Sequence, residues 1–284
     1  MGLSCWFEHM IPSLMPFMIL TNYLLQTGLS SYIIWPIYQT LNPVFRMKSC
    51  MIFAMITGFL CGFPIGAKTV ASLYQTGELT KQEADYLLAF TNNIGPAYYI
   101  CFLYPLLLES FPLSLLLFIQ YGIPMLYGLT LRYTVYRNIS GVRANPLKTS
   151  CTPLSARVLN NAIKDATSQI LALGGYMILF NVFAGFVYVL PLSKRFICLL
   201  HMGIEISGGI DALYILQQQA AYSSQTLLLY IQSFLAFGGL CCLFQTMNVL
   251  DGTDLSIQKY MLHKVLLCSI TCIVILILNQ VKII

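Results

Sequence analysis

The chain has 284 residues, of which 58% are hydrophobic and 9% charged, and its formal net charge is +5. Its mean hydropathy is +0.75. These values exclude an ordinary water-soluble domain and give no ground for a nucleic-acid partner; they read as an all-α polytopic membrane protein whose first partner is the lipid bilayer.

The opening MGLSCWFEHM carries no basic region, so the apolar segment 11–29 is expected to stay as a first span. A short aromatic stretch punctuated by Pro36 and Pro43 follows, and Arg46 and Lys48 mark a membrane edge. Residues 49–76 are interrupted at their centre by Gly62-Phe63-Pro64-Ile65-Gly66-Ala67-Lys68. Each arm rises roughly 20 Å at about 1.5 Å per residue, too little to cross a hydrocarbon core about 30 Å thick. A re-entrant hairpin is therefore expected, with its exit near Gly77-Glu78.

Thr80-Lys81-Gln82-Glu83 has the pattern of a capping box and starts the next helix. That helix is interrupted at Thr91-Asn92-Asn93-Ile94-Gly95-Pro96 and resumes to about Leu108. Residues 112–133 give another span. The polar stretch 134–153 and an amphipathic surface helix over 155–168 form a basic linker, 134–168, between a first membrane repeat, 1–133, and a second, 169–284.

The second repeat follows the same plan. Ile170 to Leu190 is a span, residues 195–219 a second hairpin, and 224–250 a second interrupted helix, broken near Gly238-Gly239. A last span runs from about 260 to 281. Phe17-Met18-Ile19-Leu20-x-Asn22 aligns with Tyr176-Met177-Ile178-Leu179-x-Asn181. Three crossings per half invert one half against the other, giving an inverted repeat with two re-entrant hairpins and two interrupted transmembrane helices. With the linker in the cytoplasm, Arg46, Lys48, Lys81, Arg132, Arg137, Arg143, Lys148, Arg157, Lys164, Lys259 and Lys264 fall inside, and only Lys194, Arg195 and Lys282 outside.

Ionisable groups deep in a membrane are costly and face a cavity or a partner. Lys68 sits at the first hairpin tip; Glu205 and Asp211 bracket the second, Glu205-Ile206-Ser207-Gly208-Gly209-Ile210-Asp211. Glu205 is read as binding a coupling cation, a proton or a polar group of the solute, with Lys68 beside it; a structural Lys68–Glu205 ion pair is the even alternative. Thr91, Asn92 and Asn93 offer polar groups beside freed backbone, suited to an uncharged or zwitterionic ligand, or else satisfy the break itself. Gly62, Pro64 and Gly66, with Ser207 and with Gly238 and Gly239 at the second half's breaks, complete the candidate substrate-binding set through shape and backbone. The histidines and ten cysteines lack metal-ligand spacing, and neither HExxH nor G-x-S-x-G occurs, so no metal, no cofactor beyond a coupling proton or sodium ion, and no enzymatic activity is expected.

The segment GFPIGAKTVASLYQTGELTKQEADYLLAFTNNIGP, residues 62–96, resembles the signature region of YlbJ-type sporulation integral membrane proteins, within the nucleoside-recognition or Gate domain group. The resemblance continues more loosely through Gly203–Gly209 and from Phe237 to Lys264. It implies a role in sporulation. A hairpin followed by a broken helix is also similar to concentrative nucleoside transporters, and by that similarity Gly62–Gly66, Asn92, Asn93 and Glu205 would line a site. The expected function is thus a permease for a small polar solute, nucleoside-like or other, in a bacterial cell membrane. A non-transporting sporulation membrane factor is the alternative, and a homo-oligomer is left open.

Overall fold

The computed structural model describes residues 3, 6–139, 155–218 and 222–282. Most of the expected linker, 140–154, lies outside them. The described residues are helical throughout, without strands. After one π-helical turn, Trp6–Met10, come α1 (Ile11–Thr27), α2 (Ser30–Phe45), α3 (Ser49–Cys61), α4 (Ile65–Gln75) and α5 (Lys81–Leu88). An irregular segment then leads to α6, Pro96–Tyr98, which continues as the π-helical Tyr99–Leu108. The helix α7 runs Leu113–Tyr133 with a π-helical stretch, Phe118–Gly122, inside it.

Beyond the linker lie α8 (Ala156–Phe186), α9 (Lys194–Ile204), α10 (Ile206–Gln218), α11 (Ser224–Phe237), α12 (Gly239–Leu250) and α13 (Ile257–Gln280). Serine starts four of these six: the side chains of Ser155, Ser193, Ser223 and Ser256 each accept a backbone N–H of the first turn. The expected capping box is present, with Thr80 and Glu83 satisfying each other's backbone. Such caps absorb donors that a helix end cannot pair internally.

Among the described residues, four helices are long and apolar enough to cross a membrane: Leu113–Tyr133, Ala156–Val189, Ser224–Leu250 and Ile257–Gln280. The pair Tyr32–Phe45 and Ser49–Cys61, bent by 98°, makes a fifth if counted as one span. The sequence argues for six crossings; the difference lies mainly in the first half. There α1 stops after 17 residues at Gly28, which is left-handed. The aromatic stretch around Pro36 and Pro43 is a helix of its own, α2, with both prolines inside it. The amphipathic segment 155–168 is likewise no separate surface helix. It runs without a break into the following span as the 31-residue α8.

Large apolar side chains cover the outside, among them Leu179, Val182, Phe183 and Phe186 on α8 and Leu262, Leu266, Ile273 and Ile277 on α13. That pattern suits a lipid surround. Three ion pairs gather at one end: Lys48–Glu83 at 2.7 Å, Lys81–Asp254 at 2.7 Å and Lys259–Asp85 at 2.8 Å. They tie the starts of α3, α5 and α13 together and mark that end as polar.

Candidate functional site

The first hairpin turns at Gly62-Phe63-Pro64, between α3 and α4, where the sequence places it. Its glycines make room for the irregular segment beyond α5. A Cβ on Gly62, whose φ is +81°, would lie 2.4 Å from the backbone nitrogen of Gly95. One on Gly66 would lie 2.7 Å from the Cα of Gly58 and 3.2 Å from Asn92 Oδ1. No side chain fits at these positions without moving backbone, so the hairpin arms and the segment Thr91–Gly95 form one closely fitted unit.

That segment has few free polar groups. Thr91 Oγ1 donates to the carbonyl of Leu87 at 2.8 Å, and Asn93 Nδ2 to that of Phe90 at 2.7 Å. Asn92 Nδ2 donates to Thr246 Oγ1 at 3.2 Å and Tyr260 Oη at 3.0 Å, while Asn92 Oδ1 accepts the N–H of Ala67 at 3.3 Å. Lys264, only 2% exposed, donates to the carbonyl of Asn92 and, at 3.4 Å, to Asn93 Oδ1. Its ammonium also lies 4.7 Å from the centre of the Phe63 ring. Carbonyl oxygens and an aromatic face thus stabilise a buried cation. The charge count places Lys264 with the cytoplasmic residues; it is instead buried in the packing, and no carboxylate pairs with it among the described ion pairs.

The second hairpin turns at a single residue. Glu205 separates α9 from α10, and Ser207 to Asp211, expected in the tip, belong to α10. The carboxylate of Glu205, 4% exposed, caps its own helix. Oε1 accepts the N–H of Ser207 at 3.1 Å; Oε2 accepts the N–H of Gly208 at 2.7 Å, Ser207 Oγ at 2.7 Å and Asn181 Nδ2 at 2.9 Å. Negative charge at a helix N-terminus, with backbone donors aimed at it, is favourable. Lys68 is not its partner: no Lys68–Glu205 ion pair occurs among the described residues. Asn181, the aligned residue of the internal sequence match, takes that place.

Both tips reach the break between α11 and α12. Gly238 has φ +97°, and a Cβ there would lie 3.1 Å from the Phe63 ring of the first tip. A Cβ on Gly239 would lie 3.3 Å from the carbonyl of Met202 and 3.4 Å from the Ile206 side chain, at the second tip.

Two cavities adjoin this meeting point. A small one of about 70 Å³ is bounded by Phe63, Ile94 and Gly95 on one side and Glu205, Ile206 and Ser207 on the other. A larger one of about 300 Å³ is lined by Pro64, Lys68, Ser72 and Gln75 of the first hairpin, Ser168, Gln169 and Tyr176 of α8, Gln245 and Asn248 of α12, and Asp251 just past its end. Leu173 and Gln245 line both, so the larger cavity, the vestibule, and the smaller, the chamber, are separated by these side chains. The chamber has room for no more than an ion or a few waters; of the two, only the vestibule approaches the roughly 300–1,000 Å³ of small-molecule sites.

The candidate residues therefore separate. Pro64 and Lys68 face the vestibule, Glu205 and Ser207 the chamber. Asn92 and Asn93 line neither and are committed to internal hydrogen bonds. Gly62, Gly66, Gly238 and Gly239 act through packing, Thr91 through the break's backbone, and Asp211 lies inside α10. The sequence marks Gln245, one to two turns beyond the second break, as a weaker candidate; it gives no sign of the polar face of α8, of Asn248 or of Asp251, which lies just past the end of α12.

No family model and no solved structure matches the chain. It is similar to the sporulation integral membrane protein YlbJ of Bacillus subtilis (strain 168), with 24% identity over 296 residues that cover 93% of this chain and 72% of that protein. The resemblance noted over residues 62–96 thus extends across nearly the full length, although its loose Gate-group and transporter likenesses have no counterpart in this comparison. Similarity of that extent, together with the apolar helices, supports YlbJ-type homology and makes the chain a multi-pass integral membrane protein.

Proposed function

We propose that this protein is a permease for a small polar solute, acting in sporulation as its Bacillus homologue's description suggests. On this reading the halves form an inverted repeat, the two hairpins enter the membrane from opposite faces, and their tips gate a site near its middle. The observation that carries the reading is the pair of neighbouring cavities beside the point where both tips meet the Gly238–Gly239 break. Alternation would open the chamber to one face and the vestibule to the other, with Gln245 and Leu173 at the constriction. The group resemblance makes nucleosides one solute class to test, and Glu205 is the residue to carry a coupling proton or sodium ion. No enzymatic step is part of this proposal.

A scaffold role is the second reading, favoured by the chamber's small volume and by the way Lys264, Asn92 and Asn93 satisfy one another. Solute uptake into proteoliposomes decides between them. The permease reading expects uptake that Gln245→Ala and Glu205→Gln both reduce. A deletion strain that fails to sporulate, yet is rescued fully by both variants, would favour the scaffold.

A further inference from the structure

Two lysines lie near the first tip, Lys264 buried and Lys68 partly buried, and their surroundings differ. Lys264 is used up by the Asn92 carbonyl, Asn93 Oδ1 and the Phe63 ring. The Lys68 ammonium has no ion pair or hydrogen bond among the described residues, and it lines the vestibule of about 300 Å³. The helix N-terminus beside it offers an anion nothing, because the N–H groups of Ile65 and Gly66 bond to the carbonyl of Gly62 and that of Ala67 bonds to Asn92 Oδ1. Recognition of negative charge in this cavity therefore falls to the Lys68 side chain. A carboxylate, Asp251, lines the same cavity, and no ion pair joins it to Lys68. Between these charges the lining supplies neutral hydrogen-bonding groups, Gln169, Gln245 and Asn248.

We infer that the vestibule binds a small zwitterion, its anionic group on Lys68 and its cationic group on Asp251. This deepens the permease reading by naming the solute class. Both charges line a cavity that holds a small solute, so one molecule carrying both signs satisfies them together. A neutral nucleoside would draw nothing from either charge, the partly buried Lys68 or the exposed Asp251, whose Oδ1 accepts the N–H of Gly252 at 3.1 Å. A simple anion would satisfy Lys68 and be repelled by Asp251.

The test is calorimetric titration of the full chain in nanodiscs with three probes: L-glutamine as zwitterion, propionate as anion and uridine as neutral nucleoside. L-glutamine is expected to bind at least about tenfold more tightly than either other probe. Lys68→Gln and Asp251→Asn are each expected to weaken it about tenfold, the loss of one charge-assisted contact, whereas Lys68→Arg keeps most of the affinity. Melting curves of each variant confirm that the fold is retained. Uridine binding as tightly as L-glutamine, glutamine affinity unchanged in Lys68→Gln, or no binding of any probe would overturn the inference. Uridine uptake that is indifferent to Lys68→Gln would do so while leaving transport intact. Glutamine binding with no flux in proteoliposomes would instead remove the permease reading and leave the site.

Discussion

The two hairpin tips solve the same problem in opposite ways. The first, Gly62-Phe63-Pro64, carries no charge of its own and is held by its neighbours: Gly95 against Gly62, Asn92 on the Ala67 N–H, Lys264 over Phe63. The second holds itself, with Glu205 closing the N-terminus of α10 and Asn181 tying it to α8. A tip fastened by backbone fit and a buried lysine is locked to its surroundings. A tip capped from within can shift as a unit after giving up few bonds. If the tips gate as proposed, the first hairpin would be the fixed wall of the chamber and the second the moving one.

The largest test of this difference is Gly62→Val. With φ at +81° and Gly95 N in the way, it is expected to cost about 3 kcal/mol or more and to abolish folded protein on size exclusion. A stable, monodisperse Gly62→Val would remove the fitted first tip from the account. At the second tip, Glu205→Gln replaces a carboxylate that accepts four hydrogen bonds by an amide that must turn a donor toward one of them. A loss of about 2 kcal/mol in the melting of purified protein is expected. Combined with Asn181→Ala the loss should be less than additive, since the two share a bond; full additivity would deny that tie.

Lys264→Met comes next in size. It removes a buried charge whose partners are neutral, so the desolvation it relieves offsets the carbonyls it leaves bare, and the melting change should stay within about 1 kcal/mol. A collapse in stability comparable to Gly62→Val would mean the lysine, not the backbone fit, secures the first tip. The smallest effect lies far from both tips. Lys81, and after it Tyr74, hold the exposed Asp254 carboxyl below its ordinary value of 3.8. A depressed carboxylate contributes stability above that value and loses it as the pH falls through the lowered one. Asp254→Asn should therefore flatten the acid limb of the stability profile slightly and leave neutral pH nearly unchanged; an unaltered acid limb would show that the pair contributes nothing.

Breaks in the chain were the legible part of the fold. Glycine and proline at 62–66 and 95–96, Gly238-Gly239, and the Thr80 capping box act through local backbone preferences, and each appears where the sequence puts it. The single-residue turn at Glu205 was half legible: the charge announced the place, but Gly208 and Gly209 suggested a longer loop than the helix needs. Lys264 was not legible. Seven residues into a long apolar helix, a lysine reads equally as a side chain reaching back to the membrane edge, and only the three-dimensional approach of Asn92 and Phe63 decides otherwise. The vestibule was hidden for a similar reason, because its lining is drawn from three helices far apart in sequence.

The central claim is that the tips enclose an aqueous path between Gln245 and Glu205. The most direct measurement is accessibility of Ser72→Cys, Gln245→Cys and Ser207→Cys, each in a background with native cysteines removed, to a charged thiol reagent applied to sealed vesicles of either orientation. The account predicts that Ser72→Cys and Gln245→Cys react from the side bearing the Lys81–Asp254 pair, and that Ser207→Cys reacts more slowly along the same path. Labelling of Ser72→Cys and Gln245→Cys from opposite sides, or no labelling of Gln245→Cys from either, would contradict it.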